Sequence, residues 1–254
     1  MERYRGWIVV IAALAGVAVI ALFVFSSAAA PAYACSTLFD PAPTASPSAG
    51  QTPSLGYPQD DMSNKHVAVG TKVTYTYCPP ASGNHYNAAG QGPIQPRVYG
   101  PNDKTIPQGW VHNLEHGALV LLYRGDSEGA TTEGQQQLKD FFAVFPPSPI
   151  CNTPPGTIVG PVFTRFDSMK TPFAALVWDR VLPLQDLDRA AILAFYQQWG
   201  EQLNPELTPP GCVRPSPSPS PGSSASPSAS PSGSPAESPS ASPSASPAAS
   251  ASPS

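Results

Sequence analysis

Apolar positions divide the chain into stretches of very different kinds. Residues 7–25, WIVVIAALAGVAVIALFVF, carry no charged side chain. At about 1.5 Å per residue such a run crosses a bilayer core of roughly 30 Å, so it predicts a transmembrane segment. Further along, HGALVLLYRG holds a short apolar run ended by Gly125, which predicts a buried strand. Leu138, Phe141, Phe142 and Phe145 then recur at i, i+3, i+4 and i+7, one apolar stripe along a helix. Thr132 and Gln135 fit a capping box at its start, and Pro146 and Pro147 stop it. GTIVGPVFTRF and PFAALVWDRVLPL predict a pair of strands across DSMKT. Asp186 is placed to cap a last helix, in which Ile192, Phe195, Tyr196 and Trp199 repeat the stripe. Strands alternating with amphipathic helices define an α+β (or α/β) fold, a small mixed sheet with at least two helices packed on a face.

The segment YCPPASGNHYNAAGQGPIQPRVYGPNDKTIPQGW is rich in Gly, Pro and Asn and reads as loop. Loops of that length inside a compact domain are uncommon and tend to be functional. This one runs into WVHNLEHGALVLLY, where two of the four histidines fall.

Composition sets the boundaries. Arg3 and Arg5 precede the apolar run and no basic residue follows it closely, which places residues 1–6 in the cytoplasm and the rest outside. The chain is therefore expected at the cell membrane as a single-pass protein, touching the membrane through residues 7–25. Residues 26–54 read as a Pro/Ser/Ala-rich linker. Residues 55–214 hold a globular extracytoplasmic domain large enough for its own core. Residues 215–254 contain, besides proline, no aromatic or aliphatic residue larger than Ala and a single charge, Glu237, so they are expected to stay unfolded as a spacer or glycosylated stalk. A formal charge of −4, with no basic patch, argues against nucleic acid as a partner. No protein or cell-wall partner is legible.

Four cysteines, Cys35, Cys78, Cys151 and Cys212, include no CxxC pair, so a thioredoxin-like motif is absent. Outside the membrane, one structural disulfide among Cys78, Cys151 and Cys212 is expected. Cys35 stands after SSAAAPAYA, where cleavage with lipidation of its thiol competes with a retained anchor. Cys78, close to His85, is also a soft-ligand candidate.

All four histidines lie between His66 and His116, on the loop-rich side. If residues 110–116 are helical, His112 and His116 share a face one turn apart and could hold one ion. In a strand they would be about 13 Å apart and could not. Gly117 is well placed as a helix C-cap, which favours the helix. Imidazole suits zinc or copper among the transition metals. The bland alternative is that these rings only bond loop backbone. HNLEH also fits H-x-x-E-H, the inverted zinc-protease pattern, with Glu115 as general base. That reading lacks a long helix after the motif and needs a third ligand from Glu201 or Glu206.

HVAVGTKVTYTYCPPASGNHY together with VYGPNDKTIPQGWVHNLEHGALVLLY resembles the bacterial domain-of-unknown-function family numbered 3105. Its members pair P-P-x-S-G-x-H-Y with V-H-N-L-E-H-G and a following strand. The resemblance covers roughly residues 57–209. It implies a common extracytoplasmic fold, commonly behind one N-terminal membrane segment, with the pattern's histidines at His66, His85, His112 and His116. It implies no reaction. The chain departs from the pattern at Gly90–Gly92 and at Cys78.

Three functions follow as alternatives. The leading expectation is a membrane-anchored metal-binding module, with His66, His85, His112 and His116 as ligands and Glu115 orienting an imidazole. The others are a binding or scaffold domain without metal, and a metal-dependent hydrolase using His112, Glu115 and His116.

Overall fold

The computed structural model describes residues 32–42 and 54–216, with Leu14 besides. The membrane segment expected over residues 7–25 lies outside the described residues apart from Leu14, as does the tail beyond Ser216. Among the described residues no helix is long and apolar enough to cross a membrane. In chain order the elements are β1 (Tyr33–Leu38), β2 (Tyr57–Pro58), β3 (His66–Val67), β4 (Val73–Cys78), β5 (His85–Tyr86), α1 (Pro107–Glu115) and β6 (Val120–Tyr123). After a 3-10 turn at Glu128–Ala130 come α2 (Thr132–Ala143), β7 (Val162–Arg165), β8 (Phe173–Val177), β9 (Arg180–Leu184) and α3 (Arg189–Trp199).

The fold is α+β, built on a mixed five-stranded sheet of order β2-β9-β8-β6-β7. Only the β6–β7 pair is parallel. All four residues of β6 are buried, as expected of a strand covered on both faces. Side chains alternate across it. Leu121 and Tyr123 join Phe163, Phe173 and Ala175 beneath Leu138 and Phe141 of α2 and Ile192, Phe195 and Tyr196 of α3. Val120 and Leu122 face the other way, into a core with Val162, Leu176, Val181, Tyr75 of β4 and Trp110, Val111 and Leu114 of α1. The two helices read from their stripes thus cover one face, and α1 with β4 covers the other.

Several expectations need correction. The strands across DSMKT do not pair with each other: β7 and β8 flank β6 on opposite sides. β8 instead turns back into β9 through Trp178 and Asp179, with Asp179 at φ 55. A non-glycine in that left-handed conformation leaves no obvious turn signal in the sequence. The cap of α2 is Thr131, whose Oγ1 accepts from Gly134 N at 3.0 Å, while the Gln135 amide donates to Gly129 O. The cap of α3 is Asp188, accepting from Ala191 N at 2.9 Å, and not Asp186.

The expected linker contains structure too. β1 pairs in parallel with β4 from Tyr33↔Val73 to Leu38↔Cys78. Cys35 is bonded to Cys78 and Cys151 to Cys212, so there are two disulfides where one was expected. The first bond occupies the thiol that lipidation of Cys35 would need, and it removes Cys78 from the list of metal ligands.

Candidate metal centre

The cluster is assembled by three short elements. β3 and β5 pair in parallel with His66 opposite His85, so the two imidazoles leave the ribbon side by side. α1 supplies the rest. Pro107 opens it at a position where a missing N–H costs nothing, and all nine of its residues are buried. Asn113 fastens the preceding loop to the helix, accepting from Ile94 N and donating to Ile94 O. Gly117, at φ 94, ends the helix by donating to Leu114 O at 2.9 Å. A side chain there would meet Glu201 Cγ at 2.7 Å. The helix is longer than the single turn expected from sequence, and it does place His112 and Glu115 on one face, i to i+3.

Three imidazoles converge on one carboxylate oxygen. Glu115 Oε2 lies 2.9 Å from His85 Nε2, 3.2 Å from His66 Nε2 and 3.7 Å from His112 Nε2. The side chains of His85, Glu115 and His112 are all but inaccessible, whereas that of His66 is 41 % exposed and forms the solvent side. Trp178 stands edge-on to His85, closing the inner wall. Donor atoms of His66, His85, His112 and Glu115 lie within 4.8 Å of one another. Tetrahedral N and O ligands of zinc are themselves separated by about 3.3 Å, which the three measured distances bracket.

The other ring nitrogens fix the chemistry. His85 Nδ1 lies 2.8 Å from Gly83 O, and His112 Nδ1 lies 2.6 Å from Tyr86 O. A carbonyl only accepts, so each Nδ1 carries its proton and donates. In a neutral ring the Nε2 atom is then a bare lone pair. Both Nε2 atoms face the Glu115 carboxylate, which also only accepts, at 2.9 Å from His85 and 3.7 Å from His112. Burial pushes the pKa of His112 down to about 4, its bond to the Tyr86 carbonyl opposing this and the charges of His85 and His116 adding to it. His112 is therefore neutral at neutral pH. Burial alone would raise the Glu115 carboxyl, but the His85 hydrogen bond and charge, with the His66 contact, hold it below the usual range. Glu115 is ionised.

Of the four histidines expected to share a site, His66, His85 and His112 come together round Glu115, while His116 stacks its ring on His112 at 4.9 Å between centroids without joining their donor set. His116 belongs to a second set, with Glu115 and Glu206. Its Nδ1 is 3.1 Å from Thr208 Oγ1 and 3.6 Å from Glu206 Oε2. Its pKa is lowered, by burial first, against the opposing charges of Glu206 and Glu115. Glu115, read from sequence as an orienting group or a base, is instead the hub. The hydrolase pattern would have His112 and His116 hold one ion with Glu115 beside it, whereas Glu115 lies where His66, His85 and His112 converge and His116 falls in the other donor set. Glu201 is elsewhere: its Oε2 accepts from Ile150 N and Cys151 N. The Gly83 and Tyr86 carbonyls that set both tautomers escaped the sequence reading, since backbone carries no letter. P-P-x-S-G-x-H-Y was the available signal, as it contains Gly83, His85 and Tyr86 together.

Fold and site together define an α+β domain with a three-histidine, one-carboxylate cluster on a short helix, buried except for His66. Residues 66–211 match the family described as protein of unknown function (DUF3105), and the chain belongs to that family. No curated protein and no solved structure matches the chain.

Proposed function

We propose that this protein is an extracytoplasmic transition-metal-binding module, with His66, His85, His112 and Glu115 as the ligands. One observation carries the reading: two buried imidazoles, their Nδ1 atoms committed to main-chain carbonyls, turn their Nε2 atoms on one buried carboxylate oxygen, with His66 Nε2 3.2 Å from the same atom. With neutral rings, acceptors face acceptors in a dry site, which is strongly unfavourable, and a metal ion between them reverses the sign. An Nδ1–H bond to a backbone carbonyl is also the usual outer support of a metal-bound histidine. Mixed imidazole and carboxylate donors suit zinc, copper or iron, and the absence of a cysteine ligand argues against a site selective for copper(I).

Two disulfides support a compartment outside the reducing cytoplasm. Anchoring through residues 7–25, with the domain outside, accords with them, since Cys35 is not free to carry a lipid. Metal analysis of the untagged chain tests the assignment. Bound metal that survives dialysis and is lost in His85→Ala and His112→Ala is expected. No metal above background after loading with zinc and with copper rejects it.

A further inference from the structure

His116 and Glu206, which form a second donor set with Glu115, have no role in the site just described. Donors on one ion lie no more than about 4.2 Å apart, twice a metal–ligand bond, so His116 cannot simply be added to the first set, from which it is separate. Yet the two sets share Glu115, and a carboxylate has two oxygens. The closest approach of His66, His85 and His112 is in each case to Oε2, which leaves Oε1 for other work. Glu206 is half exposed, and its Oε2 lies 3.6 Å from His116 Nδ1. Among the described residues no Lys or Arg pairs with Glu115 or Glu206. Two carboxylates and an imidazole therefore come within 4.8 Å of one another with no cationic side chain to offset them.

The backbone holds this second set firmly. Glu206 N donates to Glu115 O at 3.2 Å, and the Asn204 amide donates to the same carbonyl at 3.3 Å. The segment carrying Glu206 and Thr208 is tied at its far end by the Cys151–Cys212 bond, and Thr153 Oγ1 donates to Thr208 O. Glu206 is thus presented to His116 by a braced segment.

We infer that the protein holds a second divalent cation between Glu115, His116 and Glu206, with Glu115 bridging it to the first. This rests on the first site being a metal site. Bridged ions of this kind lie about 3.5–4 Å apart. With one exposed carboxylate and one imidazole besides the bridge, the second position is the weaker and more exchangeable of the two.

Calorimetric titration of the purified full-length chain, stripped by chelator, with zinc counts the ions. Manganese in the same preparation reports their separation by electron paramagnetic resonance, because neighbouring ions give a spin-coupled spectrum. Glu206→Gln is the discriminating variant, since a half-exposed side chain can change without endangering the fold. Two binding events and a coupled manganese spectrum are expected, with Glu206→Gln keeping the tighter event, losing the weaker one and giving an uncoupled spectrum. A single event in both proteins, or two events that Glu206→Gln leaves intact, overturns the inference and leaves the first site standing. No event in either overturns both.

Discussion

The two faces of the sheet are held by different physics. Under α2 and α3, Leu121, Tyr123, Phe163 and Phe173 meet Leu138, Phe141, Phe195 and Tyr196, an interior of carbon packed against carbon. On the α1 side the fold buries His85, His112 and Glu115 as fully as the apolar Trp110, Val111, Leu114 and Leu122. The first face follows from area removed from water, roughly 1.5–3 kcal/mol for each large side chain. The second must recover the cost of drying three polar groups, which hydrogen bonds to Gly83 O and Tyr86 O do only in part. One face is stable by composition, and the other needs something that composition does not provide.

That contrast can be broken most forcefully on the apolar side. Phe141→Ala, which leaves a void among Phe145, Phe163 and α3, is expected to cost about 3–5 kcal/mol. Chemical denaturation should show the same loss with zinc and with chelator. A loss that depends on metal would mean the faces are not independent.

Acidification separates them next. His112 is neutral in the fold, with its pKa held at about 4 against 6.5. The unfolded chain therefore binds more protons between these values, and stability falls as pH drops from 6.5 towards 4. Glu115, with a depressed pKa, adds to the loss at the acid end. In chelator the fall attributable to His112 is about 3 kcal/mol at most. His112→Asn should flatten the profile, and an unchanged slope would show that another group is responsible.

Metal removal comes third. A ligand at a hundredfold over its Kd stabilises the fold by about 2.7 kcal/mol, so chelation should lower the Tm of the wild type. It should leave that of His85→Ala where it was. The smallest effect is the most specific. Glu115→Gln puts an amide N–H where the carboxylate faced lone pairs, so the metal-free variant should equal or exceed the metal-free wild type, by about 1 kcal/mol, while binding no metal. A large loss of stability would mean Glu115 is needed as a charge even without a cation.

The same division governs what the sequence reveals. β6 and the stripes of α2 and α3 are legible because burial imposes a period that repeats over several turns. β3 and β5 have two residues each, too short for any period, so the pairing of His66 with His85 is invisible before folding. β1 hides in Ala- and Ser-rich chain because its partner β4 and its disulfide lie far away in sequence. At the site, the V-H-N-L-E-H-G motif marks the right residues but not their division, since only the turn at Gly117 and the segment from Asn204 to Thr208 set His116 apart.

The central claim concerns two lone pairs, and long-range proton–nitrogen NMR of the histidine side chains tests it most directly. At neutral pH in chelator, His112 should appear as the Nδ1–H tautomer, and zinc should shift Nε2 of both His85 and His112 while both Nδ1 atoms keep their protons. Rings protonated on both nitrogens, unmoved by zinc or copper, would contradict the account and leave an ion pair with Glu115 in place of a metal site.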